Sequence, residues 1–274
     1  MSGIHVVTGT FLAVVALGYA AVAHSAGIDA NLRSDLERLA QRRIFFGHQS
    51  VGMNLLDGVK QLAMMAGVPV HVVEVRTANS VEPKTIGHVF VEENGNPTRK
   101  LKSFEQAIGQ QPTGLDIALV KFCYVDFTAE TDSKALFARY RATIEGLKAR
   151  NPGTTFVHIT APLTIVQGGL RARFKQLLGY APLYGTLENM RREEYNALLR
   201  QFYRGHEPIF DLARVESTAP DGTAETVVWK NNVVPVMVPA YTDDGGHLNA
   251  NAKLRSAREL ISVLAAIPDR PAAR

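Results

Sequence analysis

Apolar and polar positions follow two alternating periods along this chain, and the switches between them mark its elements. Leu32, Leu36, Leu39 and Ala40 recur at helical spacing within residues 28–42. Arg43-Ile44-Phe45-Phe46 then makes a short apolar strand that stops at Gly47. Helical spacing returns at positions 51, 55, 56, 59, 62 and 63, and VPVHVVEV (68–75) reads as a second strand. IALVKFCYV (117–125) is almost unbroken in apolar character, as strands covered on both faces are. A helix over 134–150 ends at Asn151-Pro152-Gly153. The strand TTFVHIT (154–160), a long helix over 187–203 and the strand PIFDL (208–212) follow. Asn249 stands as the N-cap of a last helix, with Leu254, Ala257, Leu260, Ile261 and Leu264 on one face.

Strand and helix in alternation predict an α/β fold, a three-layer α/β/α sandwich around a five-stranded, mainly parallel sheet. No Gly/Ser/Pro-rich linker or internal repeat divides the chain, so a single domain over 27–274 is expected. Residues 77–112, 163–185 and 217–241 do not fit the alternation and read as long connections, which in such sheets build the site. Within the last of them, TVVWKNNVVPVMV (226–238) predicts a hairpin that turns at Asn231-Asn232 and keeps Pro235 at an edge.

Composition narrows the class. With 46% apolar and 20% charged residues, the 274-residue chain is neither disordered nor a polytopic membrane protein. The net charge of +4 comes from scattered basic residues, with no stripe to hold a nucleic acid. Cys123 is the single cysteine, so neither a disulfide nor a cysteine-based metal or redox centre can form within the chain. Residues 1–26 carry no Asp, Glu, Lys or Arg, and FLAVVALGYAAVA (11–23) has the length of a secretory apolar region. Small residues follow, with cleavage sites after Ala23 or Ala26. The expectation is a signal peptide over 1–26, a periplasmic or secreted product, and no stable membrane span after cleavage. An uncleaved anchor or a buried helix are the alternatives.

Two segments could carry chemistry. In Gly47-His48-Gln49-Ser50-Val51-Gly52, Ser50 sits where the first sheet strand meets its helix. A hydroxyl there lies near the carboxyl edge of the sheet, beside helix-start amides that favour an anion. A nucleophile and its oxyanion require both. A plain N-cap serine explains the same residue. In Asp243-Asp244-Gly245-Gly246-His247-Leu248-Asn249, two glycines let Asp244 turn back onto the imidazole of His247. That bond would orient the ring to take a proton from a serine. A turn with a capping histidine is the plainer reading. Both segments fall at the same edge of the expected sheet, in the order Ser, Asp, His.

These segments resemble the SGNH, or GDSL, hydrolases, esterases and lipases built on a flavodoxin-like sandwich. Ser50 matches the nucleophile block in position, and Asp244 with His247 matches the block before the last helix. The central portion is similar too, through Val125-Asp126, the helix over 134–150, Asn151-Pro152-Gly153 and Thr160-Ala161-Pro162. The resemblance spans residues 43–266. It implies Ser50, Asp244 and His247 as the catalytic residues, with no cofactor and no metal. Gln49 stands where the family has Asp, and Val125 where it commonly has an oxyanion-holding Asn. The Ser50 amide, the Gly87 amide, Asn54 and Tyr124 are the available substitute oxyanion donors, and Asp126 is expected to position substrate or hold its loop. The expected activity is hydrolysis of a small-molecule or carbohydrate ester. Two rivals are a binding protein that has lost turnover, and a metal-dependent phosphoesterase using His48, Asp126, Asp244 and His247.

Overall fold

A computed structural model describes residues 29–269, and the segment expected to be a signal peptide, 1–26, lies outside them. Asp29 caps α1 (Ala30–Leu39) by accepting from Leu32 N–H at 2.7 Å. Then come β1 (Ile44–His48), α2 (Ser50–Ala66), β2 (His71–Glu74), β3 (Thr85–Phe90) and α3 (Pro97–Ile108). The middle of the chain forms β4 (Ile117–Val120), α4 (Ser133–Arg150), β5 (Thr155–Ile159), α5 (Leu170–Leu177) and α6 (Thr186–Tyr203). It closes with β6 (Ile209–Phe210), α7 (Leu212–Ser217), β7 (Thr226–Trp229), β8 (Asn232–Pro235) and α8 (Ala250–Ala265).

Six strands pair in the order β2-β3-β1-β4-β5-β6, every neighbour parallel. The alternation of side chains sorts the core into two layers. Ile44 and Phe46 face α1, α2 and α8, whereas Phe45 faces α3, α4 and α6. This is the expected α/β sandwich, with one strand more than the five expected. The extra strand is β3, inside the stretch taken for a loop. Gly87 and His88 break its apolar run, yet both sit in a fully paired position between β1 and β2. The helix α3 also lies in that stretch.

The expected hairpin forms as an antiparallel pair, β7 with β8, but it turns one residue earlier than expected, at Lys230-Asn231, both with positive φ, because Asn232 already pairs with Trp229. Among the described residues no helix is long and apolar enough to cross a membrane.

After β1 the chain crosses to the sheet edge at β2, returns through β3, and leaves for β4 on the other side of β1. The carboxyl end of β1 is therefore a point where the winding reverses. In open parallel sheets a crevice forms there.

Candidate active site

Ser50 is the first residue of α2, immediately beyond β1, and Gln49 rather than Ser50 holds the N-cap position. The hydroxyl is thereby free of a capping duty. The Gln49 carbonyl accepts from the N–H groups of Gly52 at 2.7 Å and Met53 at 3.3 Å. Ser50 and Val51 supply the other first-turn amides, for which helix geometry provides no acceptor. Gln49 itself reaches sideways: its Nε2 donates to the carbonyls of Val91 and Glu92, the latter at 2.8 Å. The residue that replaces the expected Asp thus ties the loop after β3 to the start of α2.

The loop before α8 delivers the ring. Gly245 adopts φ +97°, and a Cβ on Gly246 would come within 2.7 Å of the Tyr124 ring. Only glycines allow this turn against that wall. Asp244 Oδ1 accepts from the N–H of Gly246 at 3.0 Å and of His247 at 2.8 Å. Its Oδ2 accepts from His247 Nδ1 at 2.6 Å, and His247 Nε2 lies 2.9 Å from Ser50 Oγ. Burial raises the Asp244 carboxyl, but those backbone N–H groups and the imidazole outweigh it and hold it well below the usual carboxylate range. The carboxylate is ionised at neutral pH and sets the ring with Nδ1 protonated, leaving Nε2 as a base toward Ser50.

The remaining candidates divide. Tyr124 packs its ring edge against His247, with centroids 5.5 Å apart. Its carbonyl accepts from buried Arg192, Nε at 3.1 Å and Nη2 at 2.8 Å. Asn54, one turn beyond Ser50, accepts from Leu248 N–H at 3.1 Å and so pins the histidine loop to α2.

Gly87 is a correction. It sits in the middle of β3, opposite Phe45 and Val73, and a Cβ there would meet Val81 at 2.3 Å. Close sheet packing explains that glycine, and its amide is not at the rim. Of the two readings of Asp126, substrate positioning is set aside and the loop-holding one stands. Asp126 is buried and fully engaged, with Lys100 Nζ at 2.8 and 2.7 Å, Cys123 N–H at 2.6 Å and Gly95 N–H at 2.8 Å. It holds its loop and has no oxygen left for substrate.

The four residues of the phosphoesterase alternative do not assemble. His48 Nδ1 faces the Gln49 carbonyl at 2.9 Å, and its Nε2 faces His88 Nδ1 at 3.1 Å. Burial pushes the His48 imidazole down to about 3, so the ring stays neutral. Among the described residues no three His, Cys, Asp or Glu side chains form a metal-binding group.

Cys123 is buried, with its Sγ 4.0 Å from Ser50 Oγ. It packs behind the serine. Arg192 escaped sequence reasoning because a charged residue within a helix reads as solvated. Its burial becomes visible only when α6 docks against the Tyr124 turn.

A cavity of about 370 Å³ opens beside the relay, with Tyr124, Thr164, Tyr184, Glu188, Arg192 and Gly245 among its walls. Asp244 and Gly246 line it too, so one side of the histidine loop faces the cavity.

No protein-family model matches the sequence, and no curated protein does. Several solved structures are similar in shape. One is provisionally named a platelet activating factor, from Streptococcus pneumonia, at 12% identity and a TM-score of 0.49, covering 85% of this chain and 91% of that one. A possible lipase from Chitinophaga pinensis matches at 13% identity and 0.43, covering 81% and 96%. A provisionally named lipolytic protein of the G-D-S-L family from Desulfitobacterium hafniense matches at 7% identity and 0.40, covering 71% and 99%. Proteins named as lipases and GDSL-type lipolytic proteins thus stand among the structures this chain resembles, while the reading of its site rests on its own geometry.

Proposed function

We propose that this protein is a serine hydrolase that cleaves a carboxylic ester. The observation that carries the reading is the continuous relay from Ser50 Oγ through the His247 ring to Asp244, at 2.9 and 2.6 Å. In this reading His247 Nε2 takes the Ser50 proton as Oγ forms a bond to the ester carbonyl carbon. Asp244 balances the imidazolium so formed. The carbonyl oxygen becomes an oxyanion facing the first-turn amides of α2, where the helix dipole favours negative charge. The tetrahedral intermediate collapses, and the alcohol leaves with the proton from His247. Water then attacks the acyl-serine by the same route, releasing the acid and restoring Ser50.

The cavity mixes hydroxyl, carboxylate and guanidinium groups with the exposed ring of Tyr184. Such walls suit a polar alcohol partner, and an acetylated carbohydrate is the substrate class we infer. The composition of residues 1–26 supports export to the periplasm or the medium.

The deciding experiment is turnover of p-nitrophenyl acetate by the wild type and by Ser50→Ala, together with fluorophosphonate labelling. Labelling confined to Ser50, and a loss of about 10⁶-fold in kcat on substitution, are expected. A wild type that turns over no ester and takes no label overturns the reading in favour of a binding protein.

A further inference from the structure

The segment between β5 and α6 leaves large apolar side chains in the open. Leu170 is 87% exposed, Phe174 63%, Leu177 67%, Tyr180 79% and Tyr184 76%. Leu170, Phe174 and Leu177 follow one another at i, i+4 and i+7, so they form a stripe along α5. Tyr180 points away from the protein. Gln176 Nε2 donates to the Val228 carbonyl at 3.2 Å and joins α5 to the β7–β8 hairpin. There Val228 and Val233 stand directly opposite each other, both exposed.

The charge on this face has one sign. Residues 168–185 place Arg171 and Lys175 here and contain no Asp or Glu, and the hairpin over 226–235 adds Lys230 and no acid. Protein–protein interface cores are rich in arginine and aromatic residues but poor in lysine, which this face carries at Lys175 and Lys230. Basic residues interleaved with Leu, Phe and Tyr fit a surface whose headgroups are anionic and whose interior is apolar. Tyrosine suits the boundary between the two.

We propose that α5, the turn through Tyr180 and the tip of the β7–β8 hairpin dock on an anionic lipid bilayer. Tyr184 belongs both to this face and to the wall of the cavity that the Asp244–Gly246 loop lines. Docking therefore brings the cavity mouth to the lipid surface. The inference stands on exposure and charge, independently of the hydrolase reading.

The test is cosedimentation of the full chain with phosphatidylcholine vesicles, with and without about 30% phosphatidylglycerol. The variants are Leu170→Asp/Phe174→Asp and Arg171→Glu/Lys175→Glu. All four side chains lie outside the hydrogen-bonded site, and an unchanged circular dichroism spectrum and melting point check that each variant folds. The wild type is expected to pellet with the anionic vesicles. Each double variant should lower the partition coefficient about tenfold, and salt should weaken the wild type. No pelleting overturns the proposal. Pelleting that survives both variants also overturns it, by placing attachment elsewhere in the chain. Self-association that the Leu170→Asp/Phe174→Asp variant abolishes, without vesicle binding, makes a second copy the occupant and overturns it as well.

Discussion

Lys100 Nζ sits between both carboxylate oxygens of Asp126, at 2.8 and 2.7 Å, with neither side chain exposed. Lys100 Nζ also donates to Asn94 Oδ1 at 2.8 Å, while Asp126 accepts from the N–H groups of Cys123 and Gly95. One ion pair thus fastens α3, the loop after β3 and the turn that carries Tyr124. A buried pair of this kind adds little over an apolar pair, but losing one partner strands a charge. Lys100→Met should lower unfolding free energy by about 3–5 kcal/mol in urea titration. Lys100→Met/Asp126→Asn should recover part of that loss.

Asp244 is predicted to act on the reaction through the His247 ring, beside its hold on the loop backbone. Asp244→Asn keeps the size of the side chain and removes the charge that stabilises the imidazolium. We expect kcat on p-nitrophenyl acetate to fall by about 10⁴-fold, with KM nearly unchanged. Parallel losses in kcat and kcat/KM would mark an interaction made in the transition state.

Asn54 is predicted to be a positioning residue. Its bond to Leu248 N–H fixes the segment immediately after His247. Asn54→Ala should reduce kcat by roughly 10²-fold through misplacement of the ring, with little change in KM. Asn54→Asp, which keeps the acceptor, should restore most of the rate.

Glu216 gives a pH signature in stability. Its carboxyl is buried, and burial pushes it up to about 8 against the bond from Leu163 N–H and the charges of Lys121 and Arg192. Its Oε1 has no hydrogen-bond partner, as fits a neutral acid. Below the unfolded value of about 4.3 both states hold the proton, and the contribution to stability is complete. As pH rises from there to about 8, the unfolded chain has released a proton that the folded chain retains. Stability therefore falls across that window. Between about pH 5 and pH 8 the melting temperature of the wild type should fall relative to that of Glu216→Gln, the comparison cancelling the opposite trend of the buried histidines.

Much of this was legible in the sequence. The helical spacing in α2 and α8 and the unbroken apolar run at β4 gave the sandwich, because burial on one face or on both leaves those signatures directly. The turn of Asp244 toward His247 was legible from spacing alone, since three residues with two glycines between them reach back on themselves. β3 was hidden because what completes it is remote: Val81 makes room only for a glycine at 87, and His48 is the partner of His88. Asp126 stayed open between two roles for a related reason. A carboxylate near a strand end looks available for substrate until Lys100, 26 residues earlier, is folded against it.

Ser50 and His247 stand 197 positions apart, and the ring is delivered by the loop that enters the final helix. In the proposed reading, a nascent chain carries its hydroxyl with no base to activate it until the loop before α8 settles against α2. Premature termination anywhere before that loop would then leave an inert chain rather than an unregulated one.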